Sequence, residues 1–515
     1  MMSAVLTAAA GGFLLSLCFP RTSLDFIAWI AFVPLFYALH RARGPGKAAL
    51  CGLVFGLVFF VLDVSWNYHT LTVHGHLSPF TAVVVFLGLV LFLALFPSLF
   101  CFVLALLSEK GARLVVVAPV LWTGLEFVRS FIFTGFPWDL VGYSQLSNST
   151  LVQVSDITGV YGITFLVLLV NCAVWELLCA CGSERRVPWK TLVGATATVL
   201  LVLAYGTVRI RDFPEPTATD KGFRIGVLQG NIPQKIKWKE SARDYTFRVY
   251  EVLAQNAVDK GAELLVWPET SVPVLFGGSD PAWKRTFEIS ANLNVPMLVG
   301  APFRVVRNGE THYYNSAFLL KAPSVLTRYD KVHLVPFGEY MPLAWLLPLG
   351  PGLAAREADY SAGAGVNVMS VTGSPPFSVL ICYEAIFPEL ARSALRHGAR
   401  ILVNITNDGW FGDTAAPFQH LAMARLRAVE NRVWLIRCAN TGISVAVDPA
   451  GRVMRRIPLS KSGAFVISVP HSPAAGSFYS QYGDLFAWGC LVVSLALGIG
   501  VVISGKPRAR REPNK

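Results

Sequence analysis

The feature that most limits what this chain can fold into is where its long apolar runs fall. They crowd the first 210 or so of its 515 residues, return once near the C-terminus, and leave a long stretch of ordinary texture between. Hydrophobic residues make up 54% of the chain and charged residues 15%, a balance expected of a polytopic membrane protein rather than a soluble enzyme. Eight spans are read: Val5–Phe19, Phe26–Leu39, Ala48–Trp66, Phe80–Leu107, Leu114–Val128, Ile157–Cys181, Leu192–Val208 and Leu485–Ser504. The first two are short, and the fourth is long for one helix and short for two. The expected organisation is a transmembrane bundle of seven helices (1–208), an extramembrane domain (209–484), a final transmembrane helix (485–504) and a basic tail (505–515).

The loops set the expected orientation. Arg41, Arg43 and Lys47 follow the second span, Lys110 and Arg113 the fourth, and Arg185, Arg186 and Lys190 the sixth. Lys506, Arg508, Arg510, Arg511 and Lys515 follow the eighth. On the other side, residues 67–79 and 131–156 hold no Lys or Arg, and the first loop has only Arg21. This alternation is the positive-inside pattern and predicts both termini in the cytoplasm, with residues 209–484 outside it. It also accounts for much of the +12 net charge, which therefore gives no reason to expect a nucleic-acid partner. The first span lacks a basic n-region and has no A-x-A site after its apolar stretch, so it reads as an uncleaved anchor. The stretch LLSLC around Cys18 resembles a lipoprotein processing site, but Leu17 is bulky where a small residue is usual.

Seven of the nine cysteines, at 18, 51, 101, 172, 179, 181 and 490, lie in or beside apolar runs and behave there as small hydrophobes. Only Cys382 and Cys438 fall in the extramembrane domain, where a disulfide between them is the bland alternative to a chemical role.

From residue 223 the texture changes to short apolar runs alternating with helical patterns. FRIGVLQ (223–229), AELLVWP (262–268), VPMLVGA (295–301), NSAFLL (315–320), FSVLICY (377–383) and ARILVNITN (399–407) read as buried strands. Residues 245–261, 388–398 and 420–434 read as helices, the first two closed by Gly261 and Gly398 as C-terminal caps. That alternation predicts an α/β domain whose sheets are covered by helices.

Three strand ends carry reactive residues: Glu269 in LLVWPETSVP, Lys331 and Glu339 in RYDKVHLVPFGEYMP, and Cys382 and Glu384 in LICYEAIFPE. A thiol must lose its proton to attack a carbonyl. A carboxylate can take that proton and later return it, and an ammonium can stabilise the oxyanion that forms. Singly, each residue is more simply a packed thiol, a loop carboxylate or half of an ion pair. Together, at three strand ends, they form a candidate active site.

The order Glu, Lys, Cys in these contexts resembles the nitrilase, or carbon–nitrogen hydrolase, superfamily. QGNIPQKIKW (229–238), LVPFGEYMP (334–342), NDGWFG (407–412) and the membrane frame narrow the resemblance to the bacterial apolipoprotein N-acyltransferases. The resemblance implies an α-β-β-α sandwich for the extramembrane domain. It implies transfer of a phospholipid acyl chain to a cysteine, then to the α-amino group of the diacylglyceryl-cysteine of a lipoprotein, in the bacterial inner membrane. It makes Cys382 the nucleophile, Glu269 the general base and Lys331 the oxyanion stabiliser. Glu339 and Glu384 become supporting carboxylates, and Trp238, Tyr383 and Trp410 aromatic residues near the substrate entrance. The implied partners are phospholipid, apolipoprotein and membrane lipid, with no cofactor, no nucleic acid and a single chain as the working unit.

The stretch 334–353, apolar and bearing Trp345, reads either as domain core or as an arm dipping into the membrane interface. His69, His74 and His76 cluster without an accompanying cysteine or carboxylate, so no metal is expected. Asp63, Glu126, Arg129 and Glu176 lie in or near spans, where ionisable groups are functional candidates by default. The sequence has no G-x-x-x-x-G-K-[ST] phosphate loop. Two other functions stay open at this point: a membrane-tethered amidase passing the acyl group to water, and a transporter or scaffold whose large domain only binds.

Overall fold

The computed structural model describes residues 1–182, 186–215, 222–276, 280–340, 359–473 and 476–503. Trp345 and positions 341–353 of the apolar stretch lie outside the described residues, as does the tail 505–515. The chain forms two compact units: residues 1–68, 80–210 and 484–515, and residues 69–79 with 211–483.

In the first unit, four described helices are long and apolar enough to cross a membrane: Pro45–Asp63, Pro79–Glu109, Val160–Cys181 and Trp189–Arg211. Met2–Ser16 and Leu485–Gly500 are apolar but shorter, and Leu114–Arg129 carries the fifth expected span. The expected second span is not one helix. It divides into a 3-10 turn, Asp25–Trp29, and a helix of 9 residues, Val33–Arg41. A helix of that size rises about 14 Å, so eight full spans are not established. The long fourth run is a single helix of 31 residues. Small residues let helices meet backbone to backbone: a Cβ on Gly12 would lie 2.3 Å from the Phe55 carbonyl oxygen, and one on Gly52 2.2 Å from that of Pro97.

Three of the ionisable groups that the sequence singled out in this unit have local partners. Glu126 accepts hydrogen bonds from the Val141 amide and the Thr164 hydroxyl, both at 2.8 Å. Arg129 donates to the Trp138 carbonyl at 3.1 Å and lies over the Phe60 ring. Glu126 and Arg129 thus tie down the loop that follows their own helix. Glu176 accepts from Thr191 at 2.7 Å.

The second unit is built on two sheets. One runs β11(Gly463–Val469)–β1(Phe223–Gln229)–β2(Leu264–Val266)–β3(Met297–Arg307)–β4(Glu310–Lys321)–β5(Ser324–Asp330). The other runs β10(Val453–Ile457)–β9(Ser444–Val447)–β8(Trp434–Ala439)–β7(Ile401–Thr406)–β6(Phe377–Ile381). Alternation along each strand sorts side chains between two faces. Ile225, Val227, Leu264, Val266 and Leu298 share one core with Val379, Ile381, Val403, Ile405 and Ile436 of the other sheet. Leu228, Leu265, Met297 and Phe318 face outward against the helices Arg243–Asp259 and Pro281–Leu293. Leu380, Leu402 and Leu435 face the helices Pro388–Arg396 and Ala416–Asn431. The result is the α-β-β-α sandwich that the resemblance implied.

One helix boundary needs correction. The pattern over 420–434 belongs to a helix of residues Ala416–Asn431, and Trp434 already starts β8. Arg432 adopts φ +51° and ends the helix, so the apolar run after it is central strand. Gly261 and Gly398, at φ +84° and +100°, follow their helices as expected. Cys382 and Cys438 are both free. The Cys438 thiol points into the inter-sheet core and donates to the carbonyls of Leu228 and Val266 at 3.2 Å.

Candidate active site

Parallel strands deliver their C-terminal ends to one rim, where the chain must turn and loop residues collect. Glu269 follows β2 in such a turn, with Thr270 beside it at φ +50°. The turn lies against β3 at Gly300, where a Cβ would come within 2.7 Å of the Glu269 Cα. Lys331 is the first residue after β5, and Cys382 the first after β6. Cys382 holds φ +53°, a left-handed conformation that costs a non-glycine residue on the order of 1 kcal/mol or more. The surroundings must therefore hold it.

They do so through its carbonyl. His420 Nε2 lies 3.1 Å from the Cys382 carbonyl oxygen, and Asn404 Nδ2 lies 3.4 Å from it. A carbonyl only accepts, so His420 carries a proton on Nε2. Its Nδ1 faces Asp408 Oδ1 at 3.0 Å and Arg437 Nη2 at 3.1 Å. Arg437 Nη2 also donates to Asp408 Oδ2 at 2.8 Å. Burial and the Arg437 charge push the His420 imidazole below its usual range. Burial works against the Asp408 charge, but Arg437 and His420 outweigh it and hold the carboxyl low.

Glu269 and Lys331 share one hydrogen-bond network through Asn315 and Glu339. Glu269 Oε1 accepts from Asn315 Nδ2 at 2.8 Å, and the same amide donates to Glu339 Oε1 at 2.9 Å. Lys331 Nζ lies 2.9 Å from both Glu339 oxygens, and Glu339 also accepts the Val335 amide at 2.8 Å. Burial pushes the Cys382 thiol up, the negative charge of Glu269 adds to this, and the Lys331 ammonium opposes it. The resting group is thus a thiol that needs a base. Burial penalises the Lys331 charge, yet Glu339, Cys382 and Glu269 together raise its ammonium above the usual range. Lys331 is a permanent cation.

Glu384 plays a different part. Its Oε1 accepts from the Tyr329 hydroxyl at 2.8 Å and from the amides of Val332 and His333 at 2.7 and 3.1 Å. Its Oε2 accepts the Ile381 amide at 2.6 Å. One carboxylate therefore clamps the exit of β5, which carries Lys331, to the exit of β6, which carries Cys382.

The expected entrance aromatics differ in setting. Trp238 and Trp410 are 49% and 41% exposed, whereas Tyr383 is buried edge-on to Phe387. The His69 and His74 rings lie 6.1 Å apart, and His74 packs on Trp410 at 5.1 Å. Thr70 donates to the Trp410 carbonyl at 3.2 Å, so the histidine segment packs beside this aromatic residue. The sequence reading missed Asn315, His420, Asp408, Arg437 and Lys237. The one available signal was a polar residue inside an otherwise apolar strand, as with Asn315, Asn404 and Arg437.

Residues 11–173 match the family model described as apolipoprotein N-acyltransferase N-terminal domain, and residues 224–472 match carbon-nitrogen hydrolase. An apolipoprotein N-acyltransferase of Geobacter metallireducens is 40% identical over 490 residues, covering 94% of this chain and 93% of that one. One of Methylococcus capsulatus is 33% identical over 522 residues, covering 100% and 97%. Among solved structures, a nitrilase-superfamily amidase from Nesterenkonia AN1 aligns at TM-score 0.37 and 22% identity, over 52% of this chain and 95% of its own. Both halves of the chain, and nearly all of its length at 40% identity, lead to one conclusion: the chain belongs to the apolipoprotein N-acyltransferase family.

Proposed function

We propose that this chain transfers a fatty acyl group from a membrane phospholipid, through a thioester on Cys382, to the α-amino group of an apolipoprotein's N-terminal diacylglyceryl-cysteine. The observation that carries the residue roles is electrostatic. The Cys382 thiol lies in the fields of Glu269 and Lys331, while Asn315 and Glu339 join those two residues by hydrogen bonds.

Glu269 takes the proton from Cys382 as the sulfur attacks the ester carbonyl carbon. Lys331 stabilises the oxyanion, without protonating it, in a site where water does not screen the charge. The intermediate collapses with cleavage of the ester C–O bond, and the proton on Glu269 passes to the departing lysophospholipid oxygen. In the second half the acceptor amine attacks the thioester carbon and gives its proton to Glu269. The C–S bond breaks, and the proton returns to Cys382. A donor that leaves before the acceptor enters gives ping-pong kinetics.

Both substrates are amphiphiles, which is consistent with a reactive domain joined to apolar helices. The loop charges support an inner-membrane protein with cytoplasmic termini and residues 209–484 on the periplasmic side. Catalysis needs no cofactor and no nucleic acid, and a single chain holds every group named. The exposed Trp238 and Trp410 suit contact with acyl chains, and Trp345 extends the same role to the apolar stretch. The deciding experiment uses Cys382→Ala and Cys438→Ala with phospholipid and a diacylglyceryl peptide. Loss of transfer in the first alone supports the assignment, and transfer retained by Cys382→Ala overturns it.

A further inference from the structure

Lys237 ends a short helix, Gln234–Lys237, and its side chain is 2% exposed. Its Nζ donates to the backbone carbonyl of Glu269 at 3.1 Å. Among the described residues this is its one hydrogen-bond acceptor, and no carboxylate lies within ion-pair distance. The other buried cations at the rim differ. Lys331 is held by both oxygens of Glu339, and Arg437 is held by Asp408. A buried ammonium with spare N–H groups is costly unless something repays it. The titratable groups that face it are Glu269, from the exit of β2, and Cys382, from the exit of β6. Glu269 in turn keeps Oε2 buried without a hydrogen-bond partner.

We propose that Lys237 is a second cation of the active site, a positioning residue that fixes the Glu269 turn and offsets the negative charge shared by Glu269 and Cys382. This rests on the assignment of those two residues as base and nucleophile. During acylation a proton moves between the thiol and the carboxylate, so one negative charge stays in a water-poor space wherever the proton sits. Lys331 is already committed to Glu339. Lys237 holds the turn through the main chain while its charge acts on the side chain, so one group serves both orientation and electrostatics. Burial lowers the ammonium to about 8, against an ordinary 10.5, with Glu269 and Cys382 opposing the fall. The cation is therefore present at neutral pH and lost in mildly alkaline solution.

The test uses the full-length enzyme in detergent micelles with phosphatidylethanolamine and no acceptor, following the mass of the Cys382 thioester in single turnover from pH 6 to 10. The wild-type rate is expected to fall as pH rises through about 8. Lys237→Met is expected to be about tenfold slower or more at pH 7 and to lack that fall. Lys237→Arg, charged throughout, restores most of the rate and carries it to higher pH. A Lys237→Met rate within twofold of wild type overturns the proposal. So does an alkaline fall that persists unchanged in both variants, which makes Lys237 a packing residue. If Lys237→Met does not fold, the comparison of wild type with Lys237→Arg decides. Cys382→Ala run alongside separates the failures. A thioester still formed there removes the assignment itself, whereas a silent Cys382→Ala beside a normal Lys237→Met removes only the role of Lys237.

Discussion

Lys331 Nζ sits 2.9 Å from both oxygens of Glu339, with the lysine side chain 1% and the glutamate 12% exposed. A pair this buried fixes where the ammonium points and keeps it charged. Glu339→Gln preserves size but halves that hold. Single-turnover acylation is expected to drop about 10- to 100-fold, and Lys331→Ala about 10²–10³-fold, the cost of losing one oxyanion donor. Normal acylation in either variant removes that residue from the mechanism.

Glu384 is expected to behave as a clamp. Four donors converge on its carboxylate, and a glutamine would turn an NH₂ toward at least one of them. Glu384→Gln should cost about 2–4 kcal/mol of stability. Melting in detergent checks this: activity lost without any fall in melting temperature assigns Glu384 to the chemistry instead.

Asp408 links stability to pH. Its carboxyl is held below the ordinary 3.8 by Arg437 and His420 against the penalty of burial. A depressed carboxylate contributes stability that is present above its unfolded pKa and lost as pH falls toward its folded one. Stability should therefore decline below about pH 4, and Asp408→Asn should be less stable at pH 7 with a flatter acid decline. An unchanged acid decline in that variant would show that other carboxylates carry it.

Lys237 gives the opposite sign. Its folded value of about 8 lies below the ordinary 10.5, a penalty of about 3 kcal/mol that is complete below pH 8 and fades toward pH 10.5. Lys237→Met relieves it and loses one hydrogen bond worth about 1 kcal/mol. The variant should melt no lower than wild type at pH 7. A marked drop would show that the hydrogen bond to the Glu269 carbonyl holds the turn more strongly than this balance allows.

Strand ends were legible in the sequence because apolar runs stop abruptly at them. β1 spans Phe223–Gln229 as read, and Lys331 and Cys382 directly follow their strands. The helix read over 420–434 ran into β8 because apolar residues continue through both, and nothing local announces the left-handed Arg432. The partners of the reactive groups were illegible for another reason. Asn315 meets Glu269 across 46 positions, and His420 meets the Cys382 carbonyl across 38. Such pairs exist only once sheet register is set. Glu384 was visible as a carboxylate near the site, but its clamp depends on amides, which carry no sequence signature.

The measurement that reaches the central claim most directly is mass spectrometry of the purified protein after incubation with phospholipid, without acceptor, followed by peptide mapping. The account predicts one acyl adduct, on Cys382, which disappears when a diacylglyceryl peptide with a free α-amine is added and reappears as an amide on that peptide. An adduct on another residue, or acyl transfer to the peptide by Cys382→Ala, would contradict it.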